Sequence, residues 1–188
     1  MRRSTAGGGR RTKPQRWEIT MGTQATMTEK DMFLASFDRE FATTRKLLRQ
    51  LPAGKEEYKP APKSRNVREL AWIFIAEEKV AEAITVGELP FGAPPPAPKL
   101  TVAELIAMYE ASHAETLAKI RSMSQESFNR MVKFPVGPGQ MGDLRAADVL
   151  WTMLMDAVHH RGQLSVYLRL LDAKVPSIYG PTADEPWS

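Results

Sequence analysis

Asp156 and His160 stand four residues apart in the run Asp156-Ala157-Val158-His159-His160-Arg161-Gly162-Gln163. In a helix that spacing stacks an acid and an imidazole on one face. Leu164 and Tyr167 continue the face and Met153 precedes it, so the pair interrupts a core-directed stripe. Burying both groups without partners is costly; they need each other, water or a metal ion. In the plainer reading the pair hydrogen-bonds internally and locks the helix register. In the other, a carboxylate on a facing helix joins them. Glu77 is that carboxylate, because it falls on the stripe of Leu70, Ile73, Phe74, Ala81 and Ile84. Glu77, Asp156 and His160 together make a two-carboxylate, one-histidine set with open positions, of the kind bundles use for divalent metals.

The neighbours of this set have their own expected places. Glu78 is rotated away from the stripe and is expected in solvent. Gln163, three residues beyond His160, can hold a ligand or a water, and Arg161 can pair with an acid on another helix. Gly162 lowers helix propensity in the middle of an apolar segment, which points to close approach of another helix. His159 serves a partner helix or solvent. His113, between Ser112 and Ala114, is expected as a surface or satisfied core histidine rather than a ligand. The chain has no cysteine, which removes disulfides, thiolate zinc sites and cysteine nucleophiles.

Four long helical segments position these residues, and no strand is expected. The first covers roughly 28–51, opening on Thr28 with Glu29 and Asp31 in the first turn. The second covers roughly 66–84 and stops at Gly87 and Pro90. The third opens on the capping box of Thr101 and Glu104 and carries Leu105, Met108, Tyr109, Leu117 and Ile120. A short extra turn over 124–132 and a loop with Pro135, Gly137, Pro138, Gly139 and Gly142 precede the fourth, roughly 145–171. This last helix is apolar on more than one side and is expected to be largely buried. The prediction is an all-α protein, an antiparallel four-helix bundle, closed by a C-terminal strip over 177–188 lying on its surface.

Charge argues against a nucleic-acid partner. Residues 1–20 carry six basic side chains and one acid. Subtracting that +5 from the total of +4 leaves residues 21–188 at −1, so the high pI of about 9.4 belongs to the tail. Residues 1–26 read as a disordered basic tail or a spurious extension, since Met21 and Met27 both suit a start, and 27–188 as the folded domain. The tail lacks the apolar stretch of a secretory signal, and no segment reaches the apolar length of a membrane helix. A cytoplasmic location and no membrane partner are expected.

The run His159-His160-Arg161-Gly162-Gln163, continuing Leu164-Ser165-Val166-Tyr167-Leu168-Arg169, resembles the DinB superfamily. Lys174-Val175-Pro176-Ser177-Ile178-Tyr179-Gly180-Pro181 and Val67-Arg68-Glu69-Leu70-Ala71-Trp72 agree with it. The resemblance implies a four-helix bundle, often a homodimer, with a divalent metal (zinc, nickel, iron or manganese) between helices. It implies as ligands one histidine of the second helix and a His-x3-His pair of the fourth. Here His160 matches, Asp156 replaces a histidine, and Ile73 stands where the second-helix histidine belongs, with Glu77 one turn on as its substitute. Some relatives are thiol-dependent transferases, isomerases or hydrolases. Two functions stay open: a metal-dependent transferase or hydrolase on a small or thiol substrate, with Gln163 and Tyr167 orienting it, or a non-catalytic, stress-related binding or dimerisation scaffold.

Overall fold

Capping chemistry sets where three of the long helices begin in the computed structural model, which describes residues 26–87, 89 and 95–187. Helix α1 (Glu29–Leu48) starts at Thr28, α2 (Val67–Val86) at Asn66 and α3 (Val102–Ser122) at Thr101. Each cap side chain accepts from the backbone N–H three residues on, and Asp31, Glu69 or Glu104 reaches back to the cap N–H. Gly87 ends α2 in the left-handed region at φ +84°, with the Arg130 guanidinium packed where a side chain would begin. The one-turn helix α4 (Gln125–Asn129) leads into the strands β1 (Met131–Gly137) and β2 (Gln140–Arg145). Helix α5 (Ala146–Leu170) follows, and its start is tied to α1 by Arg145, which bonds Glu29 at 2.7 Å and Asp148 at 2.7 Å.

The architecture is mostly helical, with five helices and a small antiparallel hairpin among the described residues. The hairpin corrects the expectation of a loop without strands. Val132 pairs with Leu144 and Phe134 with Gly142. Val132 is buried and Phe134 and Leu144 half-buried against the end of the core. The alternation of Val132, Phe134 and Val136 is a period-2 signal that Pro135 obscures. In a two-stranded ribbon a proline is tolerated because its missing N–H can face outward. Gly139, at φ +67°, makes the turn, and at Gly142 a Cβ would meet Val136 at 2.8 Å.

Helix α2 lies between α3 and α5, and α1 packs on both α5 and α3. Two apolar clusters result. One gathers Leu47, Leu70, Phe74, Leu105, Leu164 and Leu168; the other gathers Phe33, Ile84, Ile120, Phe128, Val149 and Leu150. Between them, all four long helices contribute buried polar groups: Glu40 and Thr44 from α1, Glu77 and Glu78 from α2, His113 and Thr116 from α3, His160 and Arg161 from α5. The core is thus two apolar layers with a polar layer at mid-height, and the candidate site belongs to that layer.

α5 is less buried than expected. Met155, Val166 and Leu170 are exposed by more than half, and Gly162 faces open space on the same side, with no atom within 4 Å of where a Cβ would stand. Among the described residues no other helix comes within 4 Å of that position, which corrects the reading of its role. The segment after α5 runs back along α1, held by Lys46–Glu185 at 2.7 Å and Arg169–Asp184 at 2.8 Å, as the expected surface strip. No helix among the described residues is long and apolar enough to cross a membrane. The basic tail through residue 25 and the loop over 90–94 lie outside the described residues.

Candidate metal centre

The register of α2 against α5 brings Glu77 to the pair on α5. Glu77, Asp156 and His160 each present a ligand atom, and these atoms lie within 4.8 Å of one another. His160 Nε2 is 3.5 Å from Asp156 Oδ2. Bonds of about 2.1 Å to a single ion place donors no more than about 4.2 Å apart, so only a small closing movement separates this set from a coordination sphere. Glu77 and His160 are buried, whereas the Asp156 side chain is 47 % exposed, so the open positions face solvent on the Asp156 side.

Glu77 carries the strongest chemical signal. Among the described residues neither of its carboxylate oxygens has a hydrogen-bond partner, although both are buried. Burial, then the adjacent Asp156 carboxylate and lastly Glu78, push its pKa up to about 10. A neutral acid at neutral pH is the consequence, and a divalent ion bonded to its oxygens would restore the carboxylate. The residues present therefore fit a divalent cation. Two carboxylate oxygens and one imidazole suit zinc, iron or manganese better than a soft metal.

His160 is oriented for the same task. Its Nδ1 is 3.2 Å from Gln163 Oε1, and the Gln163 amide nitrogen bonds His159 Nε2 at 2.9 Å. With Gln163 accepting the Nδ1 proton, Nε2 is left with its lone pair turned toward Asp156 and Glu77. A second-shell partner fixes ligating histidines in this way. Tyr167 donates to the carbonyl of Arg65 at 2.8 Å instead of joining the triad. Ile73 is half-buried against the apolar core and supplies no donor.

The rest of the polar layer partly matches the sequence reading and partly departs from it. Glu78, expected in solvent, is 3 % exposed and bonds His113 Nδ1 at 2.9 Å. His113 Nε2 reaches Asp38 on the surface at 3.4 Å, and its ring stacks on Phe41 with centroids 3.8 Å apart. Burial raises the Glu78 pKa and the bond to His113 opposes that rise. His113 is thus a satisfied core histidine, as expected. Arg161 is buried and pairs with Glu40 at 2.7 Å, the partner helix being α1. Tyr179 from the C-terminal strip donates to the same Glu40 oxygen at 2.6 Å. Glu40 and Thr44 share the stripe of Phe33, Phe37, Leu47 and Leu48, a spacing that marks both as inward-facing. Glu40, Thr44, Glu77, Glu78 and Tyr109 line a cavity of about 20 Å³, room for about one water.

A mostly helical core with an acid–acid–histidine cluster between α2 and α5 defines the class. The chain belongs to the DinB family, whose model matches residues 21–187. It is 30% identical over 163 residues to the uncharacterized protein YrdA of Bacillus subtilis (strain 168), an alignment covering 84% of this chain and 92% of that protein. Its fold resembles that of a DinB-like protein from Bacillus cereus ATCC 10987, with a TM-score of 0.65 and 21% identity over 78% of this chain and 95% of the other. It also resembles the DinB-like protein YjoA of Bacillus subtilis, with a TM-score of 0.61 and 18% identity over 79% of this chain and 97% of the other.

Proposed function

We propose that this protein is a DinB-type four-helix bundle holding one divalent ion on Glu77, Asp156 and His160, and that it acts as a metal-dependent transferase or hydrolase on a small substrate. The observation that carries the reading is the pair of buried, unpartnered Glu77 oxygens facing Asp156 and His160. When bound, the ion supplies Lewis acidity at a position open to solvent. The chain's own residues do the rest. Gln163 holds the His160 ring, and Asp156 sits at the mouth. Gln163 and Tyr167 border the groove through which a substrate approaches. The reading places the protein in the cytoplasm, apart from membrane and nucleic acid.

The test is metal analysis of untagged protein after loading with zinc or manganese and desalting. One ion per chain is expected for the wild type and none for His160→Ala, which removes the only nitrogen donor of the set. If the wild type retains no metal, the enzyme reading fails and the non-catalytic scaffold stands in its place.

Homodimerisation is part of this reading. Met155, Val166 and Leu170 expose apolar surface beside Gly162, a glycine that no contact among the described residues requires. A second α5 packed there would use both features. Sedimentation should give the mass of two 21.0 kDa chains, and Gly162→Arg should give one. A wild-type monomer would refute the dimer and leave the metal centre untouched.

A further inference from the structure

The linker between α1 and α2 forms a shelf beside the metal centre. Lys63, Ser64 and Arg65 line a groove of about 650 Å³ together with Gln163, Val166 and Tyr167. On the α2 side the same three residues border a second hollow of about 490 Å³ with Lys59, Trp72, Ile73 and Ala76. Gln163 belongs to both groove and centre, since it lines the first and bonds His160 Nδ1 at 3.2 Å. Ala76 precedes the ligand Glu77 along α2.

The shelf is built, not loose. Tyr167 clamps the carbonyl of Arg65 at 2.8 Å, the Tyr58 carbonyl accepts from Val67 N at 3.1 Å, and Ser64 N closes a turn on Ala61 at 3.0 Å. Its charges are left over. Among the described residues, Lys59, Lys63 and Arg65 have no carboxylate within 4.0 Å, while neighbouring Arg68 is held by Glu57. The one acid among the described residues bordering the hollow, Glu69, is committed to the Asn66 backbone N–H at 2.7 Å. Two carboxylates and a divalent ion sum to zero, so at long range the filled centre adds no net charge to that of the shelf. Charge selection falls to this shelf.

We propose that Lys63 and Arg65 seat an anionic group, a carboxylate or a phosphate, on the small molecule whose other end reaches Asp156 and His160. This names the substrate class of the site and rests on the metal-centre reading for what happens at that other end. An arginine offers a fork to a planar carboxylate or a phosphate edge, and a nearby lysine adds a point charge. Lys63 and Arg65 are exposed at the edge of the groove, and cations of one sign gathered there raise the local concentration of such ligands.

The experiment follows backbone amide resonances of the isotopically labelled full chain on addition of succinate, inorganic phosphate or uncharged succinamide. Wild type and Lys63→Glu/Arg65→Glu are compared without metal and after zinc loading. Saturable shifts at Lys63, Ser64, Arg65 and Gln163 are expected with succinate or phosphate, with a Kd in the millimolar range that rises at least about tenfold in the double variant. The tighter of the two anions identifies the headgroup. Zinc stoichiometry should be the same in both proteins, which separates this proposal from the metal reading. A chain that takes zinc but gives no saturable shifts with either anion overturns the anion site alone. Equal binding by the double variant, or succinamide matching succinate, overturns it too. A chain that takes no zinc yet binds succinate in the charge-dependent way keeps the shelf and loses the centre.

Discussion

In metal-free protein, Glu77→Gln is expected to raise the unfolding temperature at pH 8, and the same substitution is expected to weaken zinc binding by at least about tenfold. The Glu77 pKa rises from an ordinary carboxylate value of 4.5 to about 10 in the folded chain. Between those values the native state holds a proton that the unfolded state has released. Stability therefore falls as pH rises through that window, and is fully retained only below the unfolded pKa. Glutamine keeps the shape and cannot ionise, so it removes this loss. The gain should be near zero at pH 4 and grow with pH, reaching on the order of 2 kcal/mol at pH 8 after relaxation of the site, or ~4–8 °C for a chain of this size. Zinc should reverse the order, stabilising the wild type more than the variant because only the carboxylate binds tightly. Thermal scans at several pH values, with chelator and with zinc, check both signs. A metal-free variant no more stable than wild type at pH 8 would mean that Glu77 does not carry the buried-acid penalty.

The same polar layer explains what could be read in advance. Asp156, His160 and Glu77 were legible because each interrupts an apolar stripe at helical spacing, and a stripe is the one feature a single helix shows without its neighbours. Glu78 was not. It is one step, or about 100°, round from Glu77, and a lone stripe consigns it to solvent. α2 is covered on two sides, by α3 and by α5, so both acids point inward to different partners. Glu40 and Thr44 were legible in principle from the stripe of Phe33, Phe37, Leu47 and Leu48. The capped starts of α1 and α3 matched because capping is local chemistry. The hairpin failed because Pro135 and three glycines outweigh three alternating apolar residues in any local count. What decides there is Val132 finding the end of the core, which is tertiary information. The exposed side of α5 was misread for the converse reason: apolar residues on several sides say that cover is needed, not that this chain supplies it.

Arg161→Leu should be the most destabilising single change in the polar layer. Arg161 is 1 % exposed and serves three groups of α1: the Glu40 carboxylate at 2.7 Å, the Glu40 carbonyl at 3.2 Å and Thr44 at 3.4 Å. It also lies under the Tyr179 ring at 5.0 Å, which pins the C-terminal strip. Burial acts to raise the Glu40 pKa, but hydrogen bonds from Tyr179 and Arg161 overcome it and hold the carboxyl below its ordinary value. Removing the guanidinium leaves the buried carboxylate with Tyr179 and the more exposed Arg39, 3.3 Å from its other oxygen, and stranding one member of a buried pair costs about 3–5 kcal/mol. At 2–4 °C per kcal/mol for a chain of this length, the midpoint should drop by roughly 10 °C. The sign with pH follows from the lowered pKa. The contribution of the pair is present above the unfolded value of 4.5 and is lost as pH falls through the folded value, so wild type and variant should converge in acid. Glu40→Leu combined with Arg161→Leu should recover most of the loss, because two apolar groups need no partners. Tyr179→Phe, which deletes one donor at the surface end, should cost about 1 kcal/mol. Urea unfolding of the wild type, Glu40→Leu, Arg161→Leu and the double variant gives the double-mutant cycle. A single Arg161→Leu loss below about 1 kcal/mol, or a double variant worse than the single, would show that the Arg161–Glu40 pair does not hold α5 to α1.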